Sequence, residues 1–188
     1  MRSDVASDMG WSSKLFIESA WPMVQEKFKV GPLLQMEGRP DVELATQLDI
    51  RSGIDAWELT SEGGMRGVSA RVQTSDPHPN CWDSFTVRMS RNSGTLTEFA
   101  KRRNAIHGGK GLIYPHITVQ AYAQCKVGPV HSVGVCKTED LISFIDNGMH
   151  KKRLVSNAEF AACFWSDMKS CGISVWIARQ EQPQVLVI

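Results

Sequence analysis

No two cysteines in this sequence have the spacing of a metal or redox motif. The five, Cys81, Cys125, Cys136, Cys163 and Cys171, form no C-x2-C, and the five histidines stand singly. A zinc site needs closely spaced ligand pairs, so neither set forms one on spacing. An odd count cannot pair off completely, and the reading is reduced, mostly buried thiols. No stretch nears the roughly 18 apolar residues of a membrane span, and the opening MRSDVASDMGW has no apolar h-region. The expectation is a cytoplasmic chain with no membrane partner. Charge of one sign is also missing: Lys and Arg number 21 against 20 Asp and Glu, a net charge of +1. That excludes a global pull toward nucleic acid or acidic membranes and leaves only local patches. The Walker order Gly-x4-Gly-Lys-Ser/Thr is absent, no GxGxxG follows a strand, and no Ser-His-Asp set carries a nucleophile elbow. There is no internal repeat, low-complexity tract or linker.

What is present is an ordinary globular composition, 42% hydrophobic and 22% charged over 188 residues. That length fits one domain able to bury its own core. Residues 1–11 read as a loose arm and 12–188 as a single domain. SSKLFIESAWPMVQEKFKV reads as a helix, with Leu15, Phe16, Ala20, Val24 and Phe28 recurring at helical spacing and Pro22 kinking or splitting it. DVELATQLDI reads as a short helix capped by Asp41. GIDAWELT and MRGVSARVQT, joined across Gly63-Gly64, form a hairpin, and SFTVRMS alternates as a third antiparallel strand. SGTLTEFAKRRNAIHGGKG predicts an amphipathic helix capped by Ser93 or Thr95, with Lys101, Arg102 and Arg103 on its exposed side. IYPHITVQAYA and VHSVGVCK follow as strands. TEDLISFIDNG is a helix capped by Thr138, NAEFAACFWSDMKSCG a last helix capped by Asn157, and ISVWIARQ a final strand. Together these predict an α/β fold with a mixed sheet and helices on both faces.

The stretch GIDAWELTSEGGMRGVSARVQ carries the candidate chemistry. It sets Asp55 in an apolar run and ends its partner strand in Arg71-Val72-Gln73. Side chains alternate along a strand, so Arg71 and Gln73 share a face, and Asp55 and Gln73 can converge from neighbouring strands. Phosphodiester hydrolysis needs a cation to neutralise charge on the phosphate and acidify a water, and a group to place that water. A guanidinium at Arg71 suits a phosphate in fork fashion. The plainer reading is an Asp55–Arg71 ion pair across the hairpin, with the Gln73 amide satisfying backbone groups at a strand end.

With a helix before it and a strand, helix and strand after it, this stretch resembles the PD-(D/E)XK, restriction-endonuclease-like, nuclease superfamily over about residues 12–125. The resemblance implies a restriction-endonuclease-like mixed sheet flanked by helices, a DNA substrate, and bound Mg2+ or Mn2+. It gives Asp55 the metal-ligand position and Gln73 the position that contacts water or phosphate. Arg71 stands where the family has an acid, and a hard cation takes oxygen ligands. Glu58, Glu62, Asp49 or Glu43 would have to supply the second carboxylate. Two functions follow as expectations: a metal-dependent DNA-processing nuclease, or a non-catalytic module of the same fold that binds nucleic acid or a protein.

Lys101, Arg102, Arg103, His107 and Lys110 concentrate basic groups beside glycines whose backbone lets phosphate approach, and they are the candidate nucleic-acid contacts. A solvated helix face is the alternative. MHKKRLV is a second basic cluster after a helix end, where cations suit the dipole. His116 is either a general base or the end of a strand. Gln120 and Tyr122 share a strand face that either lines a pocket or packs. The apolar tail QVLVI docks on its own fold or on a partner's sheet edge.

Overall fold

The computed structural model describes residues 10–35, 53–74, 83–90, 96–108, 113–155 and 158–180. Asp49, Glu43, Lys110, Cys81, Trp82, the caps at Ser93 and Thr95, the helix read over 41–50 and the tail from 184 lie outside them.

Helical geometry already holds at Gly10 and Trp11, inside the stretch read as an arm. A π-helical turn, Phe16–Ala20, then leads into α1, Trp21–Phe28. Pro22 has no N–H to offer the preceding turn and its ring crowds the carbonyl four residues back. The chain meets that conflict with a wide turn rather than a break. Lys29 ends α1 in the left-handed region at φ 52°, its N–H bonded to the Gln25 carbonyl at 3.0 Å.

β1 (Leu33–Gln35), β2 (Ala56–Leu59) and β3 (Met65–Thr74) form an antiparallel meander. The hairpin turn closes through Thr60 N–H to Gly64 O at 2.9 Å, with Gly63 at φ 80°. β3 then pairs in parallel with β5 (Ile117–Ala123), from Val68 opposite Ile117 to Thr74 opposite Ala123. β6 (Val130–Lys137) and β9 (Val175–Arg179) continue antiparallel, giving the sheet order β1-β2-β3-β5-β6-β9. The fold is therefore α/β with a mixed sheet, as the element order predicts.

One departure is a second sheet. SFTVRMS forms β4 (Ser84–Arg88), but it leaves the main sheet and pairs antiparallel with β8 (Ala158–Phe164), which pairs with β7 (Lys151–Val155). β8 occupies the start of the stretch read as the last helix. Only Trp165–Ser170 is helical there (α4), and the cap read at Asn157 lies outside the described residues. Ala-Glu-Phe-Ala-Ala-Cys-Phe satisfies periods of two and of 3.6 alike, and backbone partners on both sides decide for the strand. KKRLV, which follows the end of the helix over 138–146, forms the edge strand β7.

The two faces of the main sheet differ. Val68, Val72, Ile117, Val119, Ala121, Val133 and Val135 pack on Phe16, Ala20, Trp21 and Val24 of the N-terminal helical segment. The opposite face carries Ser69, Arg71, Gln73, Thr118, Gln120, Tyr122, Ser132, Gly134 and Cys136 by alternation and register. The second sheet, α2 (Glu98–His107), α3 (Thr138–Asp146) and α4 lie on this polar side. Phe85, Val87, Leu141, Phe144, Cys163, Trp165 and Met168 build a second core there. Trp165 lies directly on Gly134, where an added Cβ would stand 2.3 Å from a ring carbon. Among the described residues no helix is long and apolar enough to cross a membrane.

Candidate functional site

Asp55 precedes β2 and is exposed. Its N–H donates to Val68 O at 2.9 Å, and its Oδ2 accepts the Ala70 N–H at 2.7 Å and the Ser69 hydroxyl at 3.3 Å. β2 pairs with β3 only as far as Val68, so the carboxylate continues the ladder by one bond where the strand itself has stopped. The Ser69 oxygen also accepts a bond from Arg102 Nη2. Asp55, Ser69 and Arg102 thus form a chain joining β2, β3 and α2.

The bonds described for Arg71 run to Glu98 and Thr86. Its Nη2 meets Glu98 Oε1 at 2.5 Å, and its Nη1 donates to the carbonyl and hydroxyl of Thr86 at 3.3 and 3.4 Å. Glu98 is the first residue of α2, whose cap is Thr97: the Thr97 hydroxyl accepts the Ala100 N–H at 3.2 Å. Glu98 and Arg102 lie four apart and so on one side of the helix. Burial would raise the Glu98 carboxyl. The Arg71 and Arg102 guanidiniums, then the Arg88 N–H and charge, outweigh it and bring the group from 4.5 to about 2.

The expected basic face of α2 is accordingly only half realised. Arg102 is 4% exposed while Leu96 is 57% exposed. The helix turns its 98–102–105 side inward because the facing strand offers Ser69 and Arg71 rather than apolar groups. Of the remaining candidates, Arg103 and His107 share Asp146, at 2.8 and 3.5 Å. Lys101 is half-buried.

Gln73 is half-buried opposite Tyr122. Asp55 is fastened at Ala70, three residues back, and at about 3.3 Å per residue the two stand on the order of 10 Å apart. They do not converge. Glu58 points to the other face, 1% exposed, accepting Gly31 N–H at 3.0 Å and Arg66 Nε at 2.6 Å. Glu62 is on the exposed hairpin turn. The described residues therefore do not fit a magnesium site. Arg71 cannot be a ligand, Glu58 is on the wrong side, and Glu98 is ringed by guanidiniums that oppose a cation. Among the described residues no three His, Cys, Asp or Glu side chains gather as metal ligands.

His116 has its Nδ1 occupied by the Gly67 N–H at 3.0 Å, so it braces β3 against β5 rather than presenting a base. Gln120 and Tyr122 are core residues. Gln120 Oε1 accepts from Thr86 N and Oγ1 at 3.4 and 3.2 Å, and the Tyr122 hydroxyl donates to Ser84 O at 2.8 Å. Thr138 is not a side-chain cap; its hydroxyl bonds that of Thr118 at 2.9 Å.

The sequence reading missed Glu98, Ser69, Arg88 and Phe160. The first had a signal, an acid four residues before an arginine beside a polar strand. Phe160 had none, because its strand was read as a helix. Comparison with family models, with curated proteins and with solved structures returns no match, and the chemistry is argued from the geometry.

Proposed function

We propose that the chain is a non-catalytic module of nuclease-like connectivity that binds the phosphate backbone of nucleic acid. The observation that carries this is the Arg71–Glu98 pair at 2.5 Å. Where hydrolysis calls for a second carboxylate beside Asp55, this chain has a cation clasped by a helix acid. Arg71, Arg88 and Arg102 all act on that one carboxylate, so the locality attracts anions and repels a divalent cation. Arg71 keeps 24% of its side-chain surface open, enough for one edge of its fork to meet a phosphate oxygen.

The test is affinity for a 20-base-pair DNA duplex across a salt series, with magnesium and with EDTA. Expected is binding indifferent to the metal, weakening with salt by a log–log slope of about −0.9 per phosphate contacted, and losing about one contact in Arg71→Ala. Nicking that requires magnesium and disappears in Asp55→Ala would overturn it.

That outcome is the second reading, metal-dependent hydrolysis. What favours it is connectivity: a meander, then a parallel crossover through α2 to β5, with Asp55 at β2 and Arg71-Val72-Gln73 along β3.

A further inference from the structure

The second sheet has a face of unusual composition. Register aligns Arg88 of β4, Phe160 of β8 and Arg153 of β7 in one cross-strand row. Directly paired residues project to the same side. The same side carries Thr86, Ala162 and Lys151 in the next pairing row, and then Phe164 opposite Ser84. None of the strand positions on this face, Ser84, Thr86, Arg88, Lys151, Arg153, Val155, Ala158, Phe160, Ala162 and Phe164, is acidic. Glu98 reaches it from α2, its Oε2 accepting the Arg88 N–H at 3.4 Å.

Cations border the rings on this face. The Arg88 guanidinium carbon lies 5.2 Å from the Phe160 centroid, and that of Arg71, reaching over from the main sheet, 5.8 Å. Lys151 Nζ lies 4.8 Å from the Phe164 centroid. Phe160, Phe164 and Arg153 are half-buried and Lys151 is exposed, so the strip borders solvent. The other side of the same sheet, with Phe85, Val87, Ala161 and Cys163, is the one that fills the core. On this side Ser84, Thr86 and Ala162 are buried, with Ser84 and Thr86 bonded to Tyr122 and Gln120 of the main sheet, while Arg88, Phe160, Arg153, Lys151 and Phe164 keep surface open beyond them.

We infer that this face, Arg88–Phe160–Arg153 with Arg71 and Lys151–Phe164, is a platform for single-stranded nucleic acid. It deepens the backbone-binding reading and rests on it. Cations alone suit any polyanion, but half-exposed rings edged by guanidiniums suit a strand whose bases are free to stack, and a duplex hides those base faces. Phe160 and Phe164 are four residues apart on one strand, a span of about 13 Å, enough for an extended strand to lay successive bases along β8.

The experiment is fluorescence anisotropy in EDTA with labelled oligothymidylate of 20 nucleotides, the matching oligouridylate, and a 20-base-pair duplex. The expected result is at least tenfold tighter binding of the single strands than of the duplex. Phe160→Ala should weaken the single strands about tenfold with the salt slope unchanged. Arg153→Ala, at a half-buried and more forgiving position, and Lys151→Ala, at an exposed one, should each lower the slope by about 0.7. Equal affinity for single strand and duplex, both dependent on Arg71, would overturn this inference and keep the backbone-binding reading. Loss of all binding would sink both. Wild-type affinity in Arg153→Ala and Lys151→Ala together, with unchanged circular dichroism, would also overturn the platform, whatever Phe160→Ala does to folding.

Discussion

Arg71 and Glu98, 27 positions apart, meet at 2.5 Å and tie the middle of β3 to the first turn of α2. The helix end helps, because an acid in the first turn lies against the positive end of the backbone dipole. Both partners keep about a quarter of their side-chain surface open, 24% and 25%. The pair is therefore a structural brace that solvent and ligands can still reach.

Glu98 should make stability pH-dependent in acid. Its carboxyl sits at about 2 in the folded chain against an ordinary 4.5. A depressed folded value gives stabilisation that is fully present above 4.5 and is lost as pH falls from there toward 2. The contribution is roughly 3 kcal/mol. Urea unfolding of wild type and Glu98→Gln between pH 2 and 6 checks it. The variant is expected to be less stable near neutrality and flatter across that range.

Arg102 and its neighbours on α2 should separate sharply. Arg102→Ala removes a buried guanidinium and strips Ser69 and Glu98 of a partner, at a cost of about 3–5 kcal/mol. Arg103→Ala breaks an exposed pair with Asp146, and Lys101→Ala changes a half-buried cation, each within about 1 kcal/mol. Thermal melts of the three variants decide it; equal losses would mean that the helix presents a different side to the sheet.

Asp55→Ala and Asp55→Asn should differ. Asparagine keeps an oxygen for the Ala70 N–H, whereas alanine leaves that donor to water, a loss of about 0.5–1.5 kcal/mol. Chemical denaturation of both variants measures the difference. In the backbone-binding reading neither alters the affinity for DNA more than about twofold, since no phosphate contact is lost.

The two tyrosines should ionise late and unequally. The bond from Tyr114 to Glu139, with burial, raises Tyr114 above 10. Burial pushes Tyr122 up to about 12, against the downward pull of its bonds to Ser84. A hydroxyl raised in the folded state contributes stability that is full below pH 10 and is lost as pH rises toward 12. Ultraviolet difference spectra during alkaline titration should show no phenolate at pH 10 beyond a minor fraction, and Tyr122→Phe should lose the later step.

Gly134→Ala should destabilise by about 1–3 kcal/mol, because the new methyl would need the space of the Trp165 ring. Near-ultraviolet circular dichroism would report the displaced indole.

The legible part of this fold was the part whose periodicity and burial agree. β2, β3, β5, β6 and β9 alternate or run apolar between clear turns, and the hairpin at Gly63-Gly64 announces itself. β8 was not legible, because alanine-rich sequence fits either period and one of its two partners, β4, is distant in the chain. Arg102 was misplaced because a charged residue is assigned to solvent unless something names its partner, and Ser69 looked like an ordinary strand serine. Asp55 and Arg71 were found as residues, but read as partners of each other, whereas the partners described for them are Ala70 and Ser69 for the one and Glu98 and Thr86 for the other. Alternation fixes faces, whereas the helix that supplies Glu98 arrives from outside the hairpin.

The pairing of Ser84 with Phe164 also sets the order of assembly. β4 leaves the ribosome long before the strand it needs, and Phe85 and Val87, fully buried at the end, must wait for it uncovered. Closure of so distant a pairing is slow compared with the local hairpin. The nascent chain therefore completes the meander and its packing on the N-terminal segment early, and acquires its second sheet, with the guanidinium and phenyl groups that sheet displays, only once β8 has been made.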